Sequence, residues 1–407
     1  MEAETEMKLD RWGYEVRTCS DACISAINSY YHQVLSYGRN RSVILEAPES
    51  DPECVLGNIL AAHFLCSAGS SRASQLINAA TSCLERASSY EKAVFEALIY
   101  LISPDRDDVL AVELHSKLLQ DFPRDLVSLK RAQVLCFYMG RADLSLKLVE
   151  QVLPINVHED YIYGMLAFPL LELGRMEDAE TAGKKGYEIN KDDPWSQHAL
   201  CHVYQYECRF KEAVEFMNNC ARSWGSLSSF MYTHNWWHVA LCYLEAHAPM
   251  EKVRDIYDKC IWKELMPCRQ RSIIVAFSYN SLLQYAAKFI LSNYVLRIQL
   301  AEALYKYGTG DNEVALELLG HDFDAINYKI IGASDEQLDV FTELHIILLL
   351  NTGEADRAIL AIEKQLKKRE GAPFLWRLLE KGYSMLGREE AMSCGEKARK
   401  LEATYFN

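Results

Sequence analysis

Tyr163-Gly-Met-Leu-Ala-Phe-Pro-Leu-Leu-Glu-Leu-Gly174-Arg-Met-Glu-Asp-Ala179 decides the fold. Large apolar residues at Tyr163, Leu166 and Leu170, with small Ala167 among them, follow a helical period until Gly174 stops it. Arg-Met-Glu-Asp then starts a second helix, whose first small residue is Ala179. The same marker recurs on both sides at a constant interval of about 34 residues, through Ala111, Ser145, Ala179 and Ala213. Gly140-Arg-Ala-Asp repeats the turn one unit earlier, and Pro123 closes one second helix. Further on, Trp376, Leu379, Tyr383, Gly387 and Ala391 repeat the pattern with one residue deleted in the turn. Gly353 with Ala358 lies one such interval upstream of that unit, and Gly310-Asp-Asn-Glu-Val-Ala315 marks another.

A fixed period of helix pairs resembles the tetratricopeptide repeat. That resemblance implies an all-α chain coiled into a right-handed superhelical solenoid of antiparallel helix pairs. The first helix of each pair would line a concave groove. Before the repeats, Ser20 to Tyr37 reads as one amphipathic helix, and a hairpin follows from Pro52 through Gly69-Ser-Ser. The expected organisation is an N-terminal helical cap over 1–89, a repeat array over 90–265, a divergent apolar segment over 266–298 and a second array over 299–407.

Half of the 407 residues are apolar and only 10 are proline, which suits a large helical core. The formal charge of -14 and the lack of a Lys/Arg block argue against a nucleic-acid partner. Thirteen scattered cysteines without CxxC pairing read as reduced core residues of a cytoplasmic protein. Met1 to Trp12 is polar, unlike a signal peptide. Ile273 to Leu296 is long enough to span a bilayer, but its Ser, Asn, Gln and Tyr content argues against it, so no membrane is expected. No phosphate loop, dinucleotide fingerprint, HExxH or nucleophile elbow is present, so no catalytic signature is established.

The chemistry-bearing residues cluster in two motifs, Trp195-Ser-Gln-His198-Ala-Leu-Cys-His202 and His234-Asn-Trp-Trp-His238. Each sets two imidazoles four residues apart, on one face of a helix. They hold four of the eleven histidines and fall in successive repeats. Between those repeats the marker spacing grows from 34 to 40, Ala213 to Val253, and the six extra residues fall in Trp224 to Thr233. A loop lengthened there is where a repeat array diversifies.

With Tyr163 to Phe168, Leu173 to Glu180 and Asp193-Pro-Trp195, these motifs resemble the family named for tetratricopeptide repeat protein 38, over roughly Tyr90 to Trp262. The ending, Ile331-Gly-Ala-Ser-Asp-Glu-Gln through Gly371-Ala-Pro-Phe-Leu-Trp376, is similar to its plant branch. The family pattern has an acid three places after the second histidine, where this chain has Gln205. After Leu265 the resemblance fails to about Val295, a run expected to pack poorly or to form an apolar helix over the end of the first array. Carried over, the repeat geometry points Trp195, His198, His202 and Gln205 inward from one unit, and Asn235, His238, Cys242 and Glu245 from the next. His234 is expected at the start of its helix.

Such a groove, walled by Trp195, Trp236 and Trp237, would take a peptide or a small anionic ligand. One alternative is a metal- or histidine-dependent enzyme using a divalent ion, with His198, His202 and His238 as candidate ligands. The other is a plain protein-protein interaction scaffold in which the histidines form a structural polar network. Lone histidines such as His63, His115 and His345 read as core residues, and Lys364 to Glu370 as a solvated helix face.

Overall fold

The computed structural model describes residues 7–66, 71–265, 298–320, 323–331 and 335–406. It opens with a short antiparallel hairpin, β1 (Met7–Leu9) and β2 (Glu15–Arg17). Helices α1 (Asp21–Leu35), α2 (Glu46–Ser50), α3 (Val55–Cys66) and α4 (Ser71–Cys83) follow. Five helix pairs come next: α5 (Ser89–Leu101) with α6 (Asp108–Asp121), α7 (Leu126–Tyr138) with α8 (Ala142–Asn156), α9 (Ile162–Glu172) with α10 (Met176–Ile189), α11 (Pro194–Tyr206) with α12 (Phe210–Cys220), and α13 (Ser229–Glu245) with α14 (Met250–Ile256). A π turn over Tyr257–Trp262 leads from α14 into α15 (Lys263–Leu265). Three further pairs are α16 (residues 298–308) with α17 (Asn312–Leu319), α18 (Asp335–Asn351) with α19 (Ala355–Leu366), and α20 (Pro373–Met385) with α21 (Glu390–Glu402). The chain is thus an all-α solenoid of antiparallel helix pairs.

Local chemistry sets the helix ends. Ser88, Asp107, Asp125, Asp193 and Ser228 accept backbone N–H bonds as N-caps. The first helices of all the described pairs except α5 end on a left-handed residue, at Gly140, Gly174, Cys208, His247, Gly310, Gly353 and Gly387. In each case the next N–H reaches back along the last turn, as Arg175 N does to Leu170 O and Arg209 N to Tyr204 O. Cys208 lies one full repeat after Gly174, so the period persists where glycine is lost. The small markers Ala111, Ala179, Ala213, Ala315 and Ala358 are 0% exposed, each at the foot of a second helix.

Apolar packing joins the array at both ends. One buried cluster runs from Trp12 to Met165, tying the N-terminal helices to the first repeats. Another runs from Leu200 to Tyr405, tying α11 to α14 to the C-terminal pairs. Helix α1 crosses to α7, where Lys130 Nζ donates to Val34 O and Leu35 O and lies 3.2 Å from the centre of the Tyr37 ring.

The extra residues after α12 do not form the expected loop. Ala221–Ser226 is a 3-10 turn, and α13 begins at Ser229, so His234 sits inside its helix rather than at the start. That turn pins the N-terminal layer: Ser228 N donates to Tyr37 O and Arg39 N to Ser226 O.

Lys364 to Glu370 is likewise not uniformly solvated. The Arg369 side chain is 8% exposed, donates to Tyr206 O at 3.0 Å and lies 3.3 Å from Asp339. It latches the C-terminal pairs onto the end of α11, and Phe406 N adds a bond to Ala246 O. Among the described residues no helix is long and apolar enough to cross a membrane. The segment expected to diverge, 266–298, and the apolar run Ile273 to Leu296 lie outside the described residues except for Ile298.

Candidate functional site

Helix α11 is held close to α10 by glycine. A Cβ at Gly186 would stand 2.1 Å from Ser196 Oγ and 3.1 Å from Tyr163 Cβ. At the head of α11, Asp193 accepts from Trp195 N at 3.0 Å and from Ser196 Oγ at 2.5 Å. These contacts fix the rotation of α11 and aim His198 and His202 at α13, which supplies His234 and His238.

The four imidazoles meet. Ring centroids are 4.2 Å apart for His198 and His202, 4.3 Å for His202 and His238, and 4.8 Å for both His198 with His234 and His234 with His238. His198 Nε2 and His202 Nε2 are 2.7 Å apart. One ring nitrogen from each of the four lies within 4.8 Å of the others. Trp195 stacks on His198 at 4.9 Å, and Phe230 stacks on His234 at 5.4 Å.

Gln205, standing where the resembled family has an acid, carries a relay. Its Nε2 donates to Glu245 Oε1 at 2.7 Å, so its Oε1 accepts from His238 Nδ1 at 3.1 Å. This makes His238 a neutral Nδ1–H tautomer with a lone pair on Nε2. His238 Nε2 is buried without a hydrogen-bond partner, and the buried Asn235 amide faces His198.

Burial dominates the electrostatics. It lowers His202 to about 3 and His234 to about 4, and pulls His198 and His238 well down, with neighbouring imidazoles adding to the effect. Burial also raises Glu245, against the opposing bond from Gln205. Four neutral imidazoles near pH 7 are electron-pair donors. The same burial disfavours the imidazolium form through which a small anionic ligand would be held.

The tryptophans divide. Trp195 lies between the imidazoles and a neighbouring apolar cavity, whereas Trp236 packs edge-on against Trp224 at 5.1 Å and Trp237 is 49% exposed. Neither Trp236 nor Trp237 lines the cavity: Trp236 turns to Trp224, and Trp237, on the same face of α13 as Phe230 but two turns further along, faces solvent. The cavity, about 180 Å³, is walled by Phe137, Phe168, Trp195 and Phe230, with Lys130 and Arg141 at its margin. The phenylalanines are not among the sequence candidates, although Phe168 stands one full repeat before His202 and so at the same place in its unit.

No family model matches this chain. Among solved structures it is similar to the human IFIT1 dimer with m7Gppp-AAAA, at 15% identity over 95% of this chain and 91% of that one, TM-score 0.42. It is also similar to a Rap protein complexed with competence and sporulation factor, at 14% identity over 94% and 100% of the two chains, TM-score 0.45. A third is the P58(IPK) TPR domain, at 12% identity over 77% and 93%, TM-score 0.26.

Proposed function

We propose that the chain is a cytoplasmic tetratricopeptide-repeat protein akin to the plant branch of the tetratricopeptide repeat protein 38 family. In this reading it is a binding protein rather than an enzyme, and it takes a peptide by seating one aromatic side chain between α7, α9 and α11. The observation that carries the reading is the cavity of about 180 Å³ walled by Phe137, Phe168, Trp195 and Phe230. An apolar cavity of about 150 Å³ accepts a benzene ring, so one aromatic side chain fits this volume. Phe230 is 63% exposed at the rim, an apolar surface that a bound peptide would cover.

Charge supports a peptide over a nucleic acid. Lys130 is tied to two backbone carbonyls, and Arg141 pairs with Asp143, so neither marginal cation is disposed to track a phosphate backbone. The test is selection of displayed random peptides on the full chain, followed by affinity measurement against variants. Trp195→Ala and Phe168→Ala are expected to weaken selected peptides at least about 10-fold, the effect of about 1.4 kcal/mol of lost packing. Val109→Ala, on an exposed site of α6, is expected to change nothing. Selected peptides that bind all variants equally refute the cavity as the docking point.

A further inference from the structure

We propose that His198, His202, His234 and His238 are the ligands of one zinc-class divalent metal ion held between α11 and α13. The proposal stands on geometry and is independent of the peptide reading above. Two helices of successive repeats each offer an i, i+4 pair, and one ring nitrogen from each of the four residues lies within 4.8 Å of the others. Tetrahedral coordination with bonds of about 2.0–2.1 Å sets neighbouring nitrogens roughly 3.3–3.4 Å apart. The 2.7 Å between His198 Nε2 and His202 Nε2 is shorter than that value and the 4.8 Å limit is longer. Closing a separation as long as that limit takes about 0.7 Å of movement at each of its two nitrogens, which small rotations of the four rings supply.

Two further observations point to a ligand. His238 Nε2 is buried and unpartnered, while the opposite ring nitrogen is engaged by Gln205. A buried polar atom left without a partner destabilises the fold, and a metal bond removes that cost. The chain from His238 through Gln205 to Glu245 has the form of an outer shell that orients a metal-binding imidazole. The donor set is all imidazole nitrogen, which suits zinc, copper and nickel, whereas magnesium and calcium require oxygen. His234, only partly buried and lying under the exposed Phe230, is the ligand placed to exchange with an incoming group.

The test uses tag-free full-length protein stripped with a chelator, then titrated with Zn²⁺ against a chromophoric competitor and, separately, with Mg²⁺. One equivalent of Zn²⁺ per chain is expected, and no uptake of Mg²⁺. The double variant His198→Ala/His238→Ala is expected to lose at least about 100-fold in Zn²⁺ affinity, and Gln205→Leu about 10-fold or more. His345→Ala, a buried histidine outside the cluster, is expected to leave Zn²⁺ binding unchanged. Folding defects are separated by a ligand swap. His202→Cys keeps a donor and, loaded with Co²⁺, is expected to show a thiolate-to-cobalt charge-transfer band. Wild-type protein that takes up no more Zn²⁺ than the double variant overturns the proposal, and so does a cobalt-loaded His202→Cys without that band. Loss of peptide binding in Phe168→Ala bears on the cavity alone, so the two readings fail separately.

Discussion

Replacing Gln205 with leucine tests whether the relay is a structural tie. Gln205 is 5% exposed and is the donor to Glu245 and the acceptor from His238. Leucine fills nearly the same volume but meets neither group. The His238 Nδ1–H would then be buried without an acceptor, at a cost of about 1–3 kcal/mol. Glu245 would lose a donor worth about 1.5–3 kcal/mol if its carboxylate is charged, and less to the extent that burial protonates it. Burying the leucine side chain returns roughly 1–2 kcal/mol. The net expectation is a destabilisation of about 2 kcal/mol. Glu245→Gln, in contrast, keeps an oxygen facing the Gln205 amide and is expected to cost under about 1 kcal/mol. Urea unfolding in chelator-containing buffer, followed by circular dichroism and tryptophan fluorescence, measures both. The double variant Gln205→Leu/Glu245→Leu leaves no orphaned carboxylate and should recover about 1 kcal/mol relative to additivity. A Gln205→Leu protein as stable as wild type, or a Glu245→Gln protein as weak as Gln205→Leu, refutes the relay.

Three other outcomes follow from the same structure. Gly174→Ala forces a side chain onto a residue at φ +74 with open space around it, so a loss of about 1 kcal/mol from backbone strain alone is expected in urea unfolding. His115 is buried neutral and lowered to about 4, so the unfolded chain takes up its proton first as pH falls below about 6.5. Its contribution is present above that pH and is lost toward pH 4; between pH 7.5 and 5.5 wild type should lose about 1.3 kcal/mol more than His115→Leu, and equal losses would contradict the shift. Arg369→Met removes the cation shared by Asp339 and Glu343, the latter already pushed up to about 7 mainly by burial, at an expected cost of about 3 kcal/mol. Hydrogen exchange in α20 and α21 should quicken in that variant, and unchanged protection would show that the latch does not hold the C-terminal pairs.

Much of this protein is legible one repeat at a time. The constant repeat interval, the small residues where helices cross and the capping side chains at Ser88, Asp107 and Asp193 are local features, and each depends on a few neighbouring residues. The i, i+4 spacing of His198 with His202, and of His234 with His238, sets each pair on one helix face in any fold that keeps those helices. Even the turn at Cys208 is readable once the period is extended past the lost glycine.

What pairs across long distances in the chain was decided only by the tertiary structure. Whether imidazoles line an open groove or a closed chamber depends on Phe168, Trp195 and Phe230 folding over them, and those rings come from three different helices. Gln205 reads as a departure from a family pattern until α13 brings His238 to one side of its amide and Glu245 to the other. Tyr37 meets Ser228, and Arg369 meets Tyr206, through contacts that no periodicity encodes. Helical period fixes direction around an axis, whereas burial depends on which distant segments the curvature of the stack brings down on each face.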